Sequence, residues 1–166
     1  MGELAAQGRT VVHATGSRSF TQTLRDVSGY RKARAGTVFK YFNSFMDAER
    51  NGLDVLILDG AHRIRATSES RYTRAALRTG RPQVDELLAT ARVPAFLLDE
   101  HQVVRPGEMG TAEEIAQHAL AAGLKVHQVS LDAQFRCGGS EAYGIWGLFA
   151  RSGGLRRVTG WGVFPR

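Results

Sequence analysis

The stretch that decides the fold is Leu53-Asp54-Val55-Leu56-Ile57-Leu58-Asp59-Gly60-Ala61-His62-Arg63-Ile64-Arg65. An apolar run of this kind is typical of a strand that is buried on both faces of a parallel sheet. The run ends at Asp59, and two small residues and His62 follow it. We therefore predict a buried strand that carries a carboxylate to the edge of a sheet.

The rest of the chain alternates predicted strands with predicted helices. The other strands are expected at 10–15, 93–98 and 125–131. Helices are expected at 20–27, 37–50 and 83–91, and from the N-cap Thr111 to about Ala122. In the segment 37–50, apolar residues recur at helical spacing: Val38, Phe39, Phe42, Phe45 and Met46. Residues 63–82 are polar and rich in arginine, which predicts a long loop. Strands separated by helices indicate an α/β fold with a parallel sheet.

Composition narrows the class of protein. The chain has 166 residues, 43% of them hydrophobic, which is room for one domain with an apolar core. No apolar run approaches the roughly 20 residues of a membrane span, no secretory signal is recognisable, and the single cysteine excludes a disulfide framework. We expect a cytoplasmic protein. The net charge is +6, with 19 Arg against 3 Lys. This excess has two explanations: it attracts the phosphate backbone of nucleic acids, or it only reflects the base composition of the genome.

Polar side chains follow three of the four predicted strands. They are Asp59 and His62, then Asp99, Glu100, His101 and Gln102, then Asp132, Gln134 and Arg136. Ligands of open α/β sheets bind beyond the carboxyl ends of the strands, so this convergence indicates a site. A carboxylate there holds Mg²⁺ and an arginine neutralises phosphate charge. Taken singly, each residue is as well explained as a turn former, a packing residue or a solvated charge.

Four segments in this order, 53–65, 81–87, 96–108 and 131–137, resemble the Schlafen group 3-like DNA/RNA helicase domain, a relative of the superfamily 1 helicases. The resemblance covers about residues 10–143. It implies a RecA-like three-layer fold of the P-loop NTPase superfamily, ATP and Mg²⁺ as cofactors, and DNA or RNA as partner.

The same resemblance implies roles for single residues. Asp59 would bind Mg²⁺ as the Walker B carboxylate, and His62 would couple it to the next motif. Gln102, Gln134 and Arg136 would complete the ATP site, with Gln102 and Arg136 as the candidate catalytic residues. Thr15, Gly16 and Arg18 would contact the nucleic-acid backbone.

The chain departs from the family pattern in three ways. Gly60 stands where the glutamate that activates water is expected, no Gly-x-x-x-x-Gly-Lys-[Ser/Thr] phosphate loop is present in these 166 residues, and the sequence stops after the motif that contains Arg136. The missing phosphate-loop strand predicts a gap between the strands at Val93 and Lys125. Those strands would then pair directly, or leave open edges that another chain or the missing domains complete.

These observations leave three interpretations. The first is a truncated fragment of an ATP-dependent helicase-like protein, unable to hydrolyse ATP by itself, with a partial NTPase domain at 1–143 and an irregular Gly/Arg-rich tail at 144–166. The second is a non-enzymatic nucleic-acid-binding or partner-binding module, motivated by Arg18 and the loop from Arg63 to Arg81. The third is an unrelated strand-end acid site built on Asp59 and Asp99.

Overall fold

The computed structural model describes residues 1–28, 36–70, 73–75, 78–99, 111–131 and 158–164. The helices are α1 (Gly2–Ala6), α2 (Arg18–Val27), α3 (Gln83–Thr90) and α4 (Ala112–Ala121), with 3₁₀ turns at Phe42–Phe45 and Ala61–Arg63. The strands are β1 (Val11–Thr15), β2 (Phe39–Tyr41), β3 (Leu53–Asp59), β4 (Ala91–Leu98), β5 (Lys125–Leu131) and β6 (Val158–Phe164). No described helix has the length and apolar character needed to cross a membrane.

The strands form one sheet in the order β2-β1-β3-β4-β6-β5. β2, β1, β3 and β4 pair in parallel, and β6 is antiparallel to both β4 and β5. Five of the six strands therefore run in one direction, and their carboxyl ends meet at one edge. The predicted α/β class with a mostly parallel sheet is confirmed.

One face of the sheet carries the apolar core. Residues that alternate along the three adjacent strands are almost completely buried: Val12 and Ala14 of β1, Leu56 and Leu58 of β3, and Phe96 and Leu98 of β4. α3 and α4 cover this face, with Leu87 and Ile115 buried against it. Each of the larger side chains in this set contributes about 1.5–3 kcal/mol when it leaves water. The β1–β2 crossover runs across the sheet in the opposite sense to the β3–β4 crossover, so the right-handed crossover rule places α2 on the opposite face.

The predicted helix at 37–50 is wrong. Phe39–Tyr41 form strand β2 beside β1, and Phe42–Phe45 form a 3₁₀ turn. Phe42 and Phe45 are both buried in the core. Because a 3₁₀ turn brings residues three apart to one side, the spacing that suggested an α-helix is satisfied by this shorter element.

The predicted gap in the sheet is also absent, because β6 fills it. β6 pairs with β4 from Ala95 to Leu98 and with β5 along all seven residues of both strands. The irregular conformation predicted for the tail is therefore wrong for residues 158–164, while 144–157 lie outside the described residues. Neither predicted alternative, direct pairing or open edges, holds between β4 and β5. Valines and aromatic residues in this segment suit a strand despite its two glycines.

The pairing of β6 makes a prediction for truncation. A chain that ends at residue 157 would expose the facing edges of β4 and β5, and unpaired edges associate with other chains. We expect this variant to elute as aggregates in size-exclusion chromatography and to melt at a lower temperature. A chain that ends at Phe164 is the matched control, and it should behave as the full chain does. Equal behaviour of all three chains would show that β6 does not complete the sheet.

At the amino ends of the parallel strands, the side chain of Asp54 in β3 is hydrogen-bonded to Thr10, the residue before β1. Its carboxylate accepts hydrogen bonds from the backbone N–H and the hydroxyl of Thr10, both at 2.9 Å, and the Arg9 guanidinium lies 3.9 Å away. The bonds from Thr10, and then the charges of Arg9 and Arg92, lower the pKa of Asp54.

A lowered pKa has a defined consequence for stability. The stabilisation from Asp54 is fully present above the ordinary aspartate pKa of about 3.9 and is lost as the pH falls through the lowered value. We expect Asp54→Asn to melt below the wild-type temperature at pH 6, with the difference shrinking as the pH falls below about 4. If the difference in melting temperature stays constant over this pH range, the ionised Asp54 carboxylate does not contribute the stabilisation.

Candidate nucleotide and nucleic-acid site

The candidate site begins where β1 and β3 end side by side. Thr15 and Asp59 are partners in the parallel register, so their side chains point to the same face of the sheet. From β1 the chain runs outward to β2, and β3 lies on the other side of β1. This is the switch point at which open α/β sheets form a crevice for ligands. Thr15 and Asp59, for which the sequence suggested separate roles, are therefore neighbours at this edge.

A short turn after β1 sets the start of α2 at this crevice. The Thr15 hydroxyl accepts a hydrogen bond from the Ser17 N–H at 2.9 Å, and the Ser17 hydroxyl caps α2 by accepting from the Phe20 N–H at 3.3 Å. Arg18 follows with an exposed side chain, and its guanidinium carbon lies 5.8 Å from the centre of the Tyr41 ring. The turn thus presents one cation at the carboxyl edge of the sheet.

Gly16 allows the two segments of the site to approach each other. A Cβ atom on Gly16 would lie 2.5 Å from Cβ of Arg63 and 3.1 Å from the Phe42 ring. Real Cβ atoms do not come this close, so only glycine fits between β1 and the 3₁₀ turn after β3. The role of Gly16 in this structure is close packing, which places Arg63 directly beside the Thr15–Arg18 turn.

Asp59 has a neighbour that sequence reasoning missed. Nε2 of His13 lies 3.6 Å from Oδ2 of Asp59, a distance that gives an ion pair when the imidazole is protonated. The His13 ring also meets Phe39 edge to face, with centroids 5.8 Å apart. The signal was present in the alternation of β1, because His13 is two residues before Thr15 and shares its face. The alternation alone could not connect His13 with Asp59, because that contact depends on the register between β1 and β3.

Gly60 and His62 turn the chain after Asp59. Gly60 has φ 67° and ψ 45°, in the left-handed region, and its carbonyl accepts a hydrogen bond from the Arg63 N–H at 3.0 Å. The His62 side chain is buried, with its residue only 5% exposed. His62 therefore points into the protein next to the turn and is not a ligand open to solvent.

The remaining predicted residues are not tested. Gln102, Gln134 and Arg136 lie outside the described residues, so their meeting with Asp59 stays a prediction. In the described part of the chain, a cavity of about 200 Å³ lies between Arg65, Pro82, Ile115 and His118, away from Asp59. We therefore place the candidate site at the open crevice and not in this cavity.

The crevice meets part of what a magnesium–nucleotide complex needs. The Asp59 side chain is 42% exposed, so its carboxylate is accessible to an ion that is bound mainly through phosphates and water. The described residues contain no cluster of three or more metal-ligating side chains, which means that Asp59 alone offers no protein cage for a metal. Within the described residues, the crevice therefore offers one accessible carboxylate and no built metal site.

The tight contact at Gly16 gives a prediction. Gly16→Ala forces Arg63 or Phe42 to shift, and overpacking of this kind costs about 1–3 kcal/mol. Urea unfolding should show a lower midpoint for this variant. Gly36→Ala is the control, because nothing lies within 4 Å of a Cβ atom there and its φ is not positive. Equal midpoints for the two variants would refute the close approach.

Comparison with known proteins shows which family the chain belongs to. A scan against protein families matches residues 1–147 to the family described as Schlafen group 3, DNA/RNA helicase domain. No curated protein matches the sequence. Among solved structures, the chain is similar to the crystal structure of magnesium protoporphyrin IX methyltransferase from Synechocystis PCC 6803 with bound SAM. That similarity has a TM-score of 0.47 and 10% identity, covers 99% of this chain and 76% of that one, and carries no inference about activity. With most of its length matched by one family, the chain belongs to the Schlafen group 3, DNA/RNA helicase domain family.

Proposed function

We propose that this chain is a helicase-like domain that does not hydrolyse ATP by itself. The observation that carries the proposal is Gly60, directly after Asp59 at the crevice. ATP hydrolysis needs a group that orients the attacking water, and glycine has no side chain to do so. The family resemblance places a glutamate at this position.

The backbone at Gly60 supports the same conclusion. Its left-handed conformation costs a residue with a side chain about 1–2 kcal/mol more than it costs glycine. There is space for a Cβ atom, since the nearest side-chain atom is Cε1 of His62 at 3.6 Å. A glutamate at this turn would therefore fit but would be strained, so the local structure is suited to the glycine that is present.

The phosphate-binding half of the site gives a second support. The 166 residues contain no phosphate-loop sequence. β6 lies between β4 and β5, where the resemblance places the phosphate-loop strand, and it runs antiparallel to both neighbours. A phosphate loop follows the carboxyl end of a parallel strand, and an antiparallel strand presents its amino end at that edge. Mg²⁺ bound through Asp59 would supply only charge neutralisation of phosphate oxygens.

A second candidate function is nucleic-acid binding, favoured by the exposed Arg18 beside the capped start of α2. The chain carries a net charge of +6, and lysine and arginine contacts to phosphates supply most of the affinity for nucleic acids of any sequence. This function needs no ATP turnover. It is compatible with the first proposal, and the two are tested by separate measurements.

The first proposal predicts an absence of turnover. Phosphate release from Mg²⁺–ATP should stay at the rate of the protein-free control, with or without a single-stranded oligonucleotide. Gly60→Glu should not raise it, because the phosphate loop is still absent. The proposal is contradicted by Mg²⁺-dependent release that disappears in Asp59→Ala and persists in the control Asp47→Ala, which removes an exposed carboxylate elsewhere.

A further inference from the structure

Residues 63–82, here called the arginine loop, hold a concentration of positive charge that the crevice does not explain. The segment contains six arginines and one acidic residue, Glu69. The Glu69 carboxylate accepts a hydrogen bond from the Gly80 N–H at 2.7 Å, so it is engaged within the loop itself. None of the five arginines that the structure describes here pairs with a described carboxylate; these are Arg63, Arg65, Arg74, Arg78 and Arg81.

The two limbs of the arginine loop are tied together near its base. Thr67 and Pro82 form an antiparallel bridge, and the Gln83 N–H donates to the Ala66 carbonyl at 3.4 Å. The Arg65 N–H donates to the Gln83 side-chain oxygen at 2.9 Å. Closing both ends restricts the conformations of a segment that would otherwise spread out through charge repulsion.

A buried carboxylate anchors the same base to the protein. Glu86 of α3 is 4% exposed and accepts hydrogen bonds from the hydroxyls of Ser68 and Thr79, one from each limb. Gln83 adds bonds to the Ser68 hydroxyl at 2.9 Å and to Asn43 at 3.1 Å. A buried carboxylate is costly unless it is well hydrogen-bonded, and here its partners are loop residues. The two limbs of the loop are therefore attached to the core at Ser68 and Thr79.

The arginine loop also adjoins the Thr15–Arg18 turn. Arg63 begins the loop, and its Cβ atom approaches within 2.5 Å of the position that a Cβ atom on Gly16 would take. The loop leaves the carboxyl end of β3 and returns to the start of α3, so both of its ends lie at the same edge of the sheet as Arg18. Arginines of two different segments thus share one edge.

We propose that the arginine loop binds the sugar–phosphate backbone of a single-stranded polynucleotide, as a second contact surface beside Arg18. This inference rests on the nucleic-acid-binding function proposed above and names the surface that performs it. A polymer fits better than a free nucleotide, because the described cations are spread from Arg63 to Arg81 and a single strand carries one phosphate charge on every nucleotide. Anchoring by Glu86 lowers the entropic cost of ordering the loop on binding.

The test compares two double variants of equal charge. Arg65→Gln with Arg74→Gln removes two exposed loop arginines, and Arg50→Gln with Arg92→Gln removes two exposed arginines from the opposite, amino edge of the sheet. Fluorescence anisotropy of a labelled single-stranded oligonucleotide is measured over a range of salt concentrations. Thermal melting of each variant checks that it folds.

We expect the loop variant to bind about tenfold more weakly at low salt. The slope of log affinity against log salt should become shallower by about 0.7 for each lost contact. The amino-edge variant should bind as the wild type does, and ATP at the same phosphate concentration should compete poorly with the oligonucleotide.

Four results would overturn the proposal. Equal losses in both double variants would mean that only net charge matters, and an unchanged loop variant would place the contact elsewhere. Displacement by ATP as efficient as by unlabelled oligonucleotide would remove the argument for a polymer. If the wild type binds no oligonucleotide at low salt, the nucleic-acid function fails as well, whereas the proposal on ATP hydrolysis is decided independently by phosphate release.

Discussion

Parallel backbone pairing between β1 and β3 is the constraint on which the rest of the site depends. The register places Thr15 opposite Asp59, and it brings His13 within 3.6 Å of the same carboxylate. The pairing also forces the turns that follow the two strands against each other, and Gly16 is the residue that makes their contact with Arg63 possible. A change in this register by one residue would turn Asp59 into the core face, where Leu56 and Leu58 are buried.

The edge formed in this way combines one accessible carboxylate, Asp59, with several exposed arginines. Asp59 is accessible and is followed by Gly60, which has no side chain to orient a water molecule. Arg18 and the arginine loop supply the charge, while Glu86 and Gln83 connect the loop to the core. This arrangement is the basis for the proposal that the chain binds polynucleotide phosphates without ATP turnover.

Much of this could be predicted from the sequence, for reasons that are local. The apolar run from Leu53 identified the central strand. Thr111 marked the start of α4, where the structure has a reciprocal capping box between Thr111 and Glu114. Gly123, at φ 76°, follows the end of that helix. The family resemblance was confirmed by the match over residues 1–147.

The failures have a different physical origin, since they depend on contacts between distant segments. The spacing of Phe42 and Phe45 suits a 3₁₀ turn as well as an α-helix, and only the neighbouring strand β1 decides that Phe39–Tyr41 pair as β2. Strand β6 was not predicted, because its two glycines interrupt the strand pattern. Its place between β4 and β5 is set by backbone pairing with both strands, which no local sequence pattern reveals. His13 became a site residue only through the register of β1 with β3.

The central claim is that polynucleotides bind at the carboxyl edge of the sheet. Hydrogen–deuterium exchange with and without a single-stranded oligonucleotide tests it most directly. We expect added protection in the peptides that contain Thr15–Arg18 and the arginine loop, with none at the amino edge around Arg50 and Arg92. Protection at the amino edge, with the carboxyl edge unchanged, would contradict the claim.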